Sequence, residues 1–183
     1  MRTDPDILEI VKGPRGMLRG IQVCVKNQCL VSAVALIYSC IDSLAALTRP
    51  THQKDTTRTQ FIDWVNTYLL PESFMKCAAE DLYGARCGIL HTYSPDSLLR
   101  RNGHAKPLVY CWKSGPAPDA EIPMPPDAIV ITVEDLMASL ERAIIKFLLA
   151  IDSNPSVKSK VDHHRKELLC YKPYETITIH VAA

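Results

Sequence analysis

The most apolar stretch of the chain, residues 29–47, limits the fold more than any other feature of the sequence. Its apolar side chains would occupy nearly every face of a helix, which is typical of a helix in the middle of a bundle. The polar residues that interrupt it are Ser32, Ser39, Asp42 and Ser43. They argue against a membrane span, which needs ~20 predominantly apolar residues. We therefore predict a buried central helix over residues 27–47, which stops before Arg49-Pro50 because the residue before a proline disfavours helical backbone.

Further helices are predicted on both sides of the central one from apolar spacing and boundary signals. They cover residues 14–25, 57–69, 71–93, 132–151 and 155–170. The helix over residues 57–69 carries one apolar stripe, formed by Phe61, Trp64, Val65, Tyr68 and Leu69. The helix at residue 132 opens with the capping signal Thr132-x-x-Asp135. These segments together predict a helical bundle.

The chain changes character after residue 105. Residues 106–113 and 128–131 are predicted to form short strands, and the segment 114–126 between them holds five of the 13 prolines. Residues 176–181 alternate polar and apolar side chains, which predicts a third, half-buried strand. We therefore predict one mainly α domain over residues 1–183. It consists of an up-and-down helical bundle over 1–105 and a strand-helix-helix-strand extension over 106–183, with a small C-terminal sheet of two or three strands.

Net charge and cysteine content indicate how the protein could bind nucleic acid and in which compartment it is expected. The formal net charge is +1, so any binding to nucleic acid must come from a local patch rather than from the overall field. The seven cysteines are an odd number and most lie in apolar helical patterns, which favours a reducing compartment. The first ten residues, MRTDPDILEI, lack the basic and then apolar stretch of an export signal. We expect a cytoplasmic protein that does not associate with a membrane.

The strongest functional signal is the pattern Arg-x4-His-x-Tyr, formed by Arg86, His91 and Tyr93 near the end of a predicted helix. A histidine can give or take a proton near neutral pH, and the fork of donors on an arginine matches a phosphate. The tyrosine hydroxyl could orient the phosphate or the histidine. Cys87 and His91 lie four residues apart, but two ligands do not make a metal site and no metal-binding motif accompanies them. We expect no metal and no cofactor.

This pattern resembles the HEPN family, whose members are up-and-down helical bundles with an arginine and a histidine four to six residues apart at a helix end. One branch, the ribonuclease toxins paired with a minimal nucleotidyltransferase antitoxin, shows Arg-x4-His-x-Tyr, which Arg86, His91 and Tyr93 match position for position. The apolar central helix and Asp42 within it also fit the family's layout.

The resemblance implies a metal-independent endoribonuclease, acting as a toxin or defence effector, whose two protomers bring their motifs to one cleft. His91 would act as general base on the ribose 2′-OH or as general acid on the leaving 5′-oxygen, and Arg86 would hold the scissile phosphate. The implied product is a 2′,3′-cyclic phosphate. The implied partners are RNA, a second copy of the chain, and an antitoxin of the nucleotidyltransferase type that attaches a nucleotide to the tyrosine matching Tyr93.

Two features of the motif leave alternatives open. Five helical residues turn His91 about 140° away from Arg86, so one chain is expected to present the pair loosely and a second protomer to bring them together. Many active members carry Asn, Asp or His directly after the arginine, whereas this chain has Cys87, a poor hydrogen-bonding substitute. The alternative function is a non-catalytic HEPN module that binds RNA or a protein.

Each candidate residue also has a purely structural interpretation. Arg86 could form an exposed ion pair with Asp81 or Glu80, and His91 could simply suit the helix C-terminus. Asp42 is either a hydrogen-bonded core acid or a group that steers His91. A basic cluster follows the motif, formed by Arg100, Arg101, His104 and Lys106. It is predicted either to form the rim of an RNA cleft or to be a solvated turn around Asn102-Gly103.

Overall fold

Helices make up most of the computed structural model, which describes residues 5–92, 94, 97–113, 124–125 and 127–168. The helices are α1 (Pro5–Lys12), α2 (Met17–Lys26), α3 (Leu30–Ala46), α4 (Arg58–Trp64), α5 (Ala79–Thr92), α6 (Leu98–Arg101), α7 (Val133–Ser153) and α8 (Pro155–His164). The strands are β1 (Leu108–Cys111) and β2 (Ile129–Thr132). The predicted mainly α class with a small sheet is confirmed.

Helix α3 lies in the middle of the bundle, as its apolar composition predicts. It packs against α2, α4, α5 and α7. Its buried side chains are Ala33, Val34, Ile37, Tyr38, Cys40, Ile41, Leu44 and Ala45. Asp42 is half-buried between these core positions, at the side of α3 that faces α5.

The central helix was predicted to begin at residue 27, but α3 begins at Leu30 because a turn separates it from α2. Gln28 has a φ of 57°, in the left-handed region that ends a helix. The amide of Cys29 donates to the carbonyl of Cys24, and the amide of Gln28 donates to that of Val25. These two bonds satisfy carbonyls at the end of α2, so the chain cannot continue as one helix into α3.

The predicted helix over residues 57–69 is continuous but changes its pitch. The α-helical turns of α4 pass into a π-helix, Val65–Leu69, and then into a 3-10 turn, Leu70–Glu72. The side chains of the predicted apolar stripe are all buried. Trp64 and Tyr68 pack against Phe147 of α7, with ring centroids 6.1 and 5.1 Å apart.

The predicted start of the next helix at residue 71 is wrong, because α5 begins at Ala79. Residues 73–78 have no regular structure. Phe74 among them is 97% exposed, whereas Met75 and Cys77 pack against the core. A capping contact fixes the true start. The Asp81 carboxylate accepts a hydrogen bond of 2.8 Å from the amide of Ala78, three residues earlier.

The two predicted short strands are confirmed as a parallel pair, with Leu108 opposite Ile129 and Cys111 opposite Thr132. The strand predicted over residues 176–181 lies outside the described residues. Strand β2 leads directly into α7, because the Thr132 hydroxyl accepts a hydrogen bond of 3.1 Å from the amide of Asp135. This is the capping signal that the sequence predicts.

Helix α7 belongs to the bundle although it lies in the predicted extension. It packs against α2, α3 and the π-helix, and buries residues along its whole length from Val133 to Ile151. Helix α8 follows after Asn154 and ends at His164, where a 3-10 turn, Arg165–Glu167, begins. The predicted end was residue 170. The 3-10 turn carries Glu167 back towards the end of α3, where the carboxylate forms an ion pair with Arg49.

Candidate functional site

The side chain of Arg86 is held between α3 and α5. Its Nε donates a hydrogen bond of 2.8 Å to Oδ2 of Asp42. Its guanidinium carbon lies 5.8 Å from the centre of the Tyr83 ring, one turn earlier on α5. The side chains of Arg86 and Asp42 are 22% and 25% exposed, so this ion pair lies at the edge of the core and one side of it faces solvent. The suggested pairing of Arg86 with Asp81 or Glu80 is therefore wrong.

The protonation of this pair reflects both burial and contact. Burial raises the pKa of the Asp42 carboxyl, and the nearby Arg86 and His91 lower it again in part. For Arg86, burial works to lower the pKa, but the hydrogen bond and charge of Asp42 outweigh it and raise the pKa. The guanidinium thus stays charged, with Nε bound to Asp42 and its terminal nitrogens directed elsewhere.

His91 meets Arg86 within the single chain. Nη1 of Arg86 lies 3.3 Å from Nε2 of His91, which is exposed in the last turn of α5. The expectation that one chain presents the pair loosely is thus wrong, because the long guanidinium arm spans the 140° turn that separates the two Cβ positions. An arginine only donates hydrogen bonds, so Nε2 is the acceptor and the ring hydrogen lies on Nδ1.

Cys87 and Tyr93 also belong to the motif segment. Cys87 is half-buried, and its Sγ lies 4.0 Å from Nη1 of Arg86, the length of a weak contact. Tyr93 lies outside the described residues, so its predicted role stays a prediction.

The predicted basic cluster is attached to a different face of α5. The amide of Lys106 donates a hydrogen bond of 2.6 Å to the buried Asp81. Arg101, His104 and Lys106 are exposed, and Arg100 is half-buried. Asp81 therefore fixes the segment that carries these side chains to the start of the motif helix, while their RNA-binding role stays a prediction.

Gly84 lets this segment come close to α5. A Cβ on Gly84 would lie 2.9 Å from the Cβ of Ala105, and helix geometry places it about 160° from Arg86. The cluster therefore docks on the side of α5 away from the contact between Arg86 and Asp42. The only sign of this close approach in the sequence is that a small residue, Gly84, stands within a helix.

Substitution of Gly84 by alanine is expected to destabilise the fold relative to a matched change in α2. Both Gly84→Ala and Gly20→Ala gain the same helix propensity, about 1 kcal/mol. A Cβ on Gly20 meets only Leu36 at 3.7 Å, an ordinary contact, whereas Gly84→Ala must push Ala105 away. We expect the free energies of unfolding of the two variants to differ by about 1–3 kcal/mol, measured by urea denaturation. Equal values would contradict the close approach.

A groove of about 430 Å³ extends from the Arg86–Asp42 pair along the end of α3 to the 3-10 turn after α8. Its walls include Ser43, Thr56, Thr57 and Tyr83. Its far end holds Arg49, which is 4% exposed and whose guanidinium donates to the carbonyls of Ala46 and Gln53 and forms an ion pair with Glu167.

Sequence reasoning missed Arg49, His164 and Glu167 as groove residues. Arg49 and Glu167 are 118 positions apart, and none of the three belongs to a recognisable motif. The only available signal was a basic residue directly before Pro50, at the end of the central helix.

Comparison with protein-family models, with curated proteins and with solved structures finds no match to this chain. In the part of the chain that the structure describes, no helix has both the length and the apolar character needed to cross a membrane. Among the same residues, no three His, Cys, Asp or Glu side chains lie close enough together to bind a metal ion.

Proposed function

We propose that this protein is a metal-independent endoribonuclease of the HEPN type, with Arg86 and His91 as its catalytic residues. The observation that supports this most is the arrangement in which Asp42 binds Nε of Arg86 while Nη1 of the same guanidinium contacts His91. It joins an anion-binding group and a proton-transfer group at one solvent-facing point. The match of Arg86, His91 and Tyr93 to Arg-x4-His-x-Tyr supports the family assignment.

Arg86 would bind the scissile phosphate through its terminal nitrogens. Because Asp42 holds Nε, the guanidinium is fixed in orientation before substrate arrives, and a fixed donor stabilises the charge that develops in the transition state. The contact with His91 is 3.3 Å long and therefore weak, so a phosphate oxygen would displace it at low cost. Displacement would free Nε2 of His91 as a proton acceptor.

The proposed reaction uses both of these side chains. Nε2 of one His91 takes the proton of the ribose 2′-OH, and the 2′-oxygen forms a bond to phosphorus as the bond to the 5′-oxygen breaks. The leaving oxygen takes a proton, in a dimer from the protonated His91 of the second copy. The products are a 2′,3′-cyclic phosphate and a 5′-hydroxyl end. In this reaction Asp42 acts through Arg86, whose Nε it holds, so it is a positioning residue.

The proposal includes a homodimer in which two motifs line one cleft, with the basic cluster at Arg100, Arg101, His104 and Lys106 contributing to RNA binding. Tyr93 would orient the phosphate or His91. A toxin or defence role, with a nucleotidyltransferase-type antitoxin that modifies Tyr93, follows from the family branch. Static light scattering is expected to give the mass of two chains.

Incubation of the purified protein with end-labelled single-stranded RNA in EDTA tests the proposal. We expect cleavage, with the new ends identified as a 2′,3′-cyclic phosphate and a 5′-hydroxyl by mass spectrometry. Fragments with a 5′-phosphate, or no cleavage of any RNA in a panel of sequences, would contradict it.

A second candidate function is a non-catalytic module that binds RNA. The observation that favours it is Cys87, whose sulfur lies 4.0 Å from Nη1 of Arg86, in a weak contact, where many active HEPN ribonucleases carry a stronger hydrogen-bonding group. RNA that binds to the protein in a gel-shift assay and remains intact in the cleavage assay would support this alternative.

A further inference from the structure

The groove that begins at Arg86 has walls suited to a neutral, hydrogen-bonding ligand. Three basic side chains line it, Arg49, Lys54 and Arg86, and three acidic ones, Asp42, Asp55 and Glu167. Two of the acids are paired with the two arginines, so little net positive charge remains to attract a second phosphate. Ser43, Thr56 and Thr57 line the same walls. The hydroxyls of Ser43 and Thr57 donate to the carbonyl of Ser39 and to Oε1 of Gln60, so they can accept hydrogen bonds from a ligand. The charge balance therefore favours the uncharged part of a nucleotide over its phosphate.

One buried group in the groove lining lacks a partner. His164 is 2% exposed, and its Nδ1 lies 3.2 Å from Oε1 of Glu167. Because a carboxylate accepts, Nδ1 carries the hydrogen in this contact, which leaves Nε2 for a second partner. Within the described part of the chain Nε2 is buried and has no hydrogen-bond partner. A buried polar atom without a partner is costly, and a ligand hydroxyl that reached Nε2 would remove that cost.

We infer that this groove is a nucleoside subsite, which holds the base and ribose on one side of a phosphate bound at Arg86. This inference rests on the proposed ribonuclease function, because Arg86 both lines the groove and is the group that would bind the scissile phosphate. A ribose hydroxyl, which can both donate and accept, would suit Nε2 of His164. The hydroxyl of Thr56 can donate or accept at a base edge, whereas that of Thr57 donates to Oε1 of Gln60 and can only accept from a ligand. A volume of about 430 Å³ is within the range of small-molecule sites. A base can enter such a groove only when it is unpaired, so we expect the substrate to be single-stranded at this position.

Thr56→Trp is the sharpest test, because Thr56 is exposed in the loop before α4 and lines the groove. An indole there fills the groove without disturbing the core. Thr59→Trp is the matched control, since Thr59 is exposed on α4 nearby and is not part of the groove lining. Similar melting temperatures for both variants and the wild-type chain would show that all three are folded.

Isothermal titration of the full chain with inorganic phosphate and with nucleoside 3′- and 5′-monophosphates gives a readout that does not depend on cleavage. We expect at least one nucleotide set to bind about tenfold or more tightly than phosphate, as two or three hydrogen bonds would produce. Tighter binding of the 3′-monophosphates would place the nucleoside on the 5′ side of the scissile phosphate, and tighter binding of the 5′-monophosphates would place it on the 3′ side. Thr56→Trp should reduce this binding to that of phosphate, and Thr59→Trp should leave it unchanged.

The RNA cleavage assay separates the two hypotheses. Thr56→Trp is expected to lower kcat/KM by about tenfold relative to Thr59→Trp. If both variants cleave RNA and bind nucleotides equally well, the subsite is wrong and the ribonuclease function stands. If no chain cleaves RNA but Thr56→Trp alone loses nucleotide binding, the ribonuclease function is wrong and the groove remains a nucleoside site. Nucleotides that bind no better than phosphate overturn the subsite in either case.

Discussion

Replacement of His91 by alanine is expected to lower the rate of RNA cleavage by about 10²- to 10⁴-fold, the usual loss when a general acid–base group is removed. His91 is exposed at the end of α5 and its only described side-chain contact is the 3.3 Å approach of Arg86. The substitution therefore removes a proton acceptor without opening a cavity in the core. We expect the melting temperature to change little. Single-turnover cleavage of labelled RNA by equal amounts of folded protein measures the effect.

His52→Ala is the matched control, because His52 is also exposed but does not line the groove. It should cleave RNA at the wild-type rate. RNA binding by the His91→Ala variant should persist, since Arg86 and the basic cluster remain. A His91→Ala protein that cleaves as fast as the His52→Ala protein would show that the activity belongs to other residues, or to a contaminating nuclease.

Local sequence patterns were sufficient for the parts of the fold that depend on nearby residues. The burial of α3 followed from apolar side chains on nearly every face, and the start of α7 followed from the Thr132–Asp135 signal. The start of α5 was misplaced because Pro71 and Glu72 resemble a helix start. The chain instead uses Asp81, a capping acid that serves two backbone amides, one of them 25 residues away at Lys106.

Local patterns were also insufficient for the candidate site, because its residues are far apart in the sequence. Sequence reasoning selected Arg86 and His91 together as one motif and Asp42 as a possible partner of His91. It could not pair Asp42 with Arg86 across 44 positions, because the pairing depends on how α3 packs on α5. A helical wheel also separated Arg86 from His91, because it describes Cβ directions and ignores the reach of a guanidinium. The groove lining beyond Arg86 depends on the turn after α8, which no local pattern connects to Arg49.

Arg86→Ala is expected to reduce kcat by about 10²- to 10³-fold, comparable to the loss of one preorganised donor to a transition-state charge. Asp42→Ala should cause a smaller loss, because the guanidinium would remain but lose its fixed orientation. The double variant should be no slower than Arg86→Ala, since Asp42 acts only through Arg86. Losses that multiply in the double variant would instead show that Asp42 has a role of its own in the reaction.

Arg58→Ala provides the matched control, because Arg58 also lies over the Tyr83 ring, with its guanidinium carbon 5.6 Å from the ring centre. It shares the cation–π contact of Arg86 but forms no described ion pair with Asp42. We expect Arg58→Ala to retain wild-type kcat. An equal loss in both variants would mean that packing on Tyr83, and not phosphate binding, accounts for the effect of Arg86.

The pH dependence of stability gives an independent check on the Arg86–Asp42 contact. Burial raises the pKa of Asp42, and Arg86 offsets part of that rise, so Arg86→Ala should raise this pKa further. A carboxyl whose pKa is higher in the folded than in the unfolded chain stabilises the fold below the unfolded pKa, and this contribution is lost as pH rises through the folded pKa. The variant should therefore be less stable than the wild-type chain at neutral pH, and the deficit should shrink as pH falls towards about 4. Thermal denaturation of both proteins across this range measures it, and a deficit that stays constant with pH would show that Arg86 does not stabilise the charged form of Asp42.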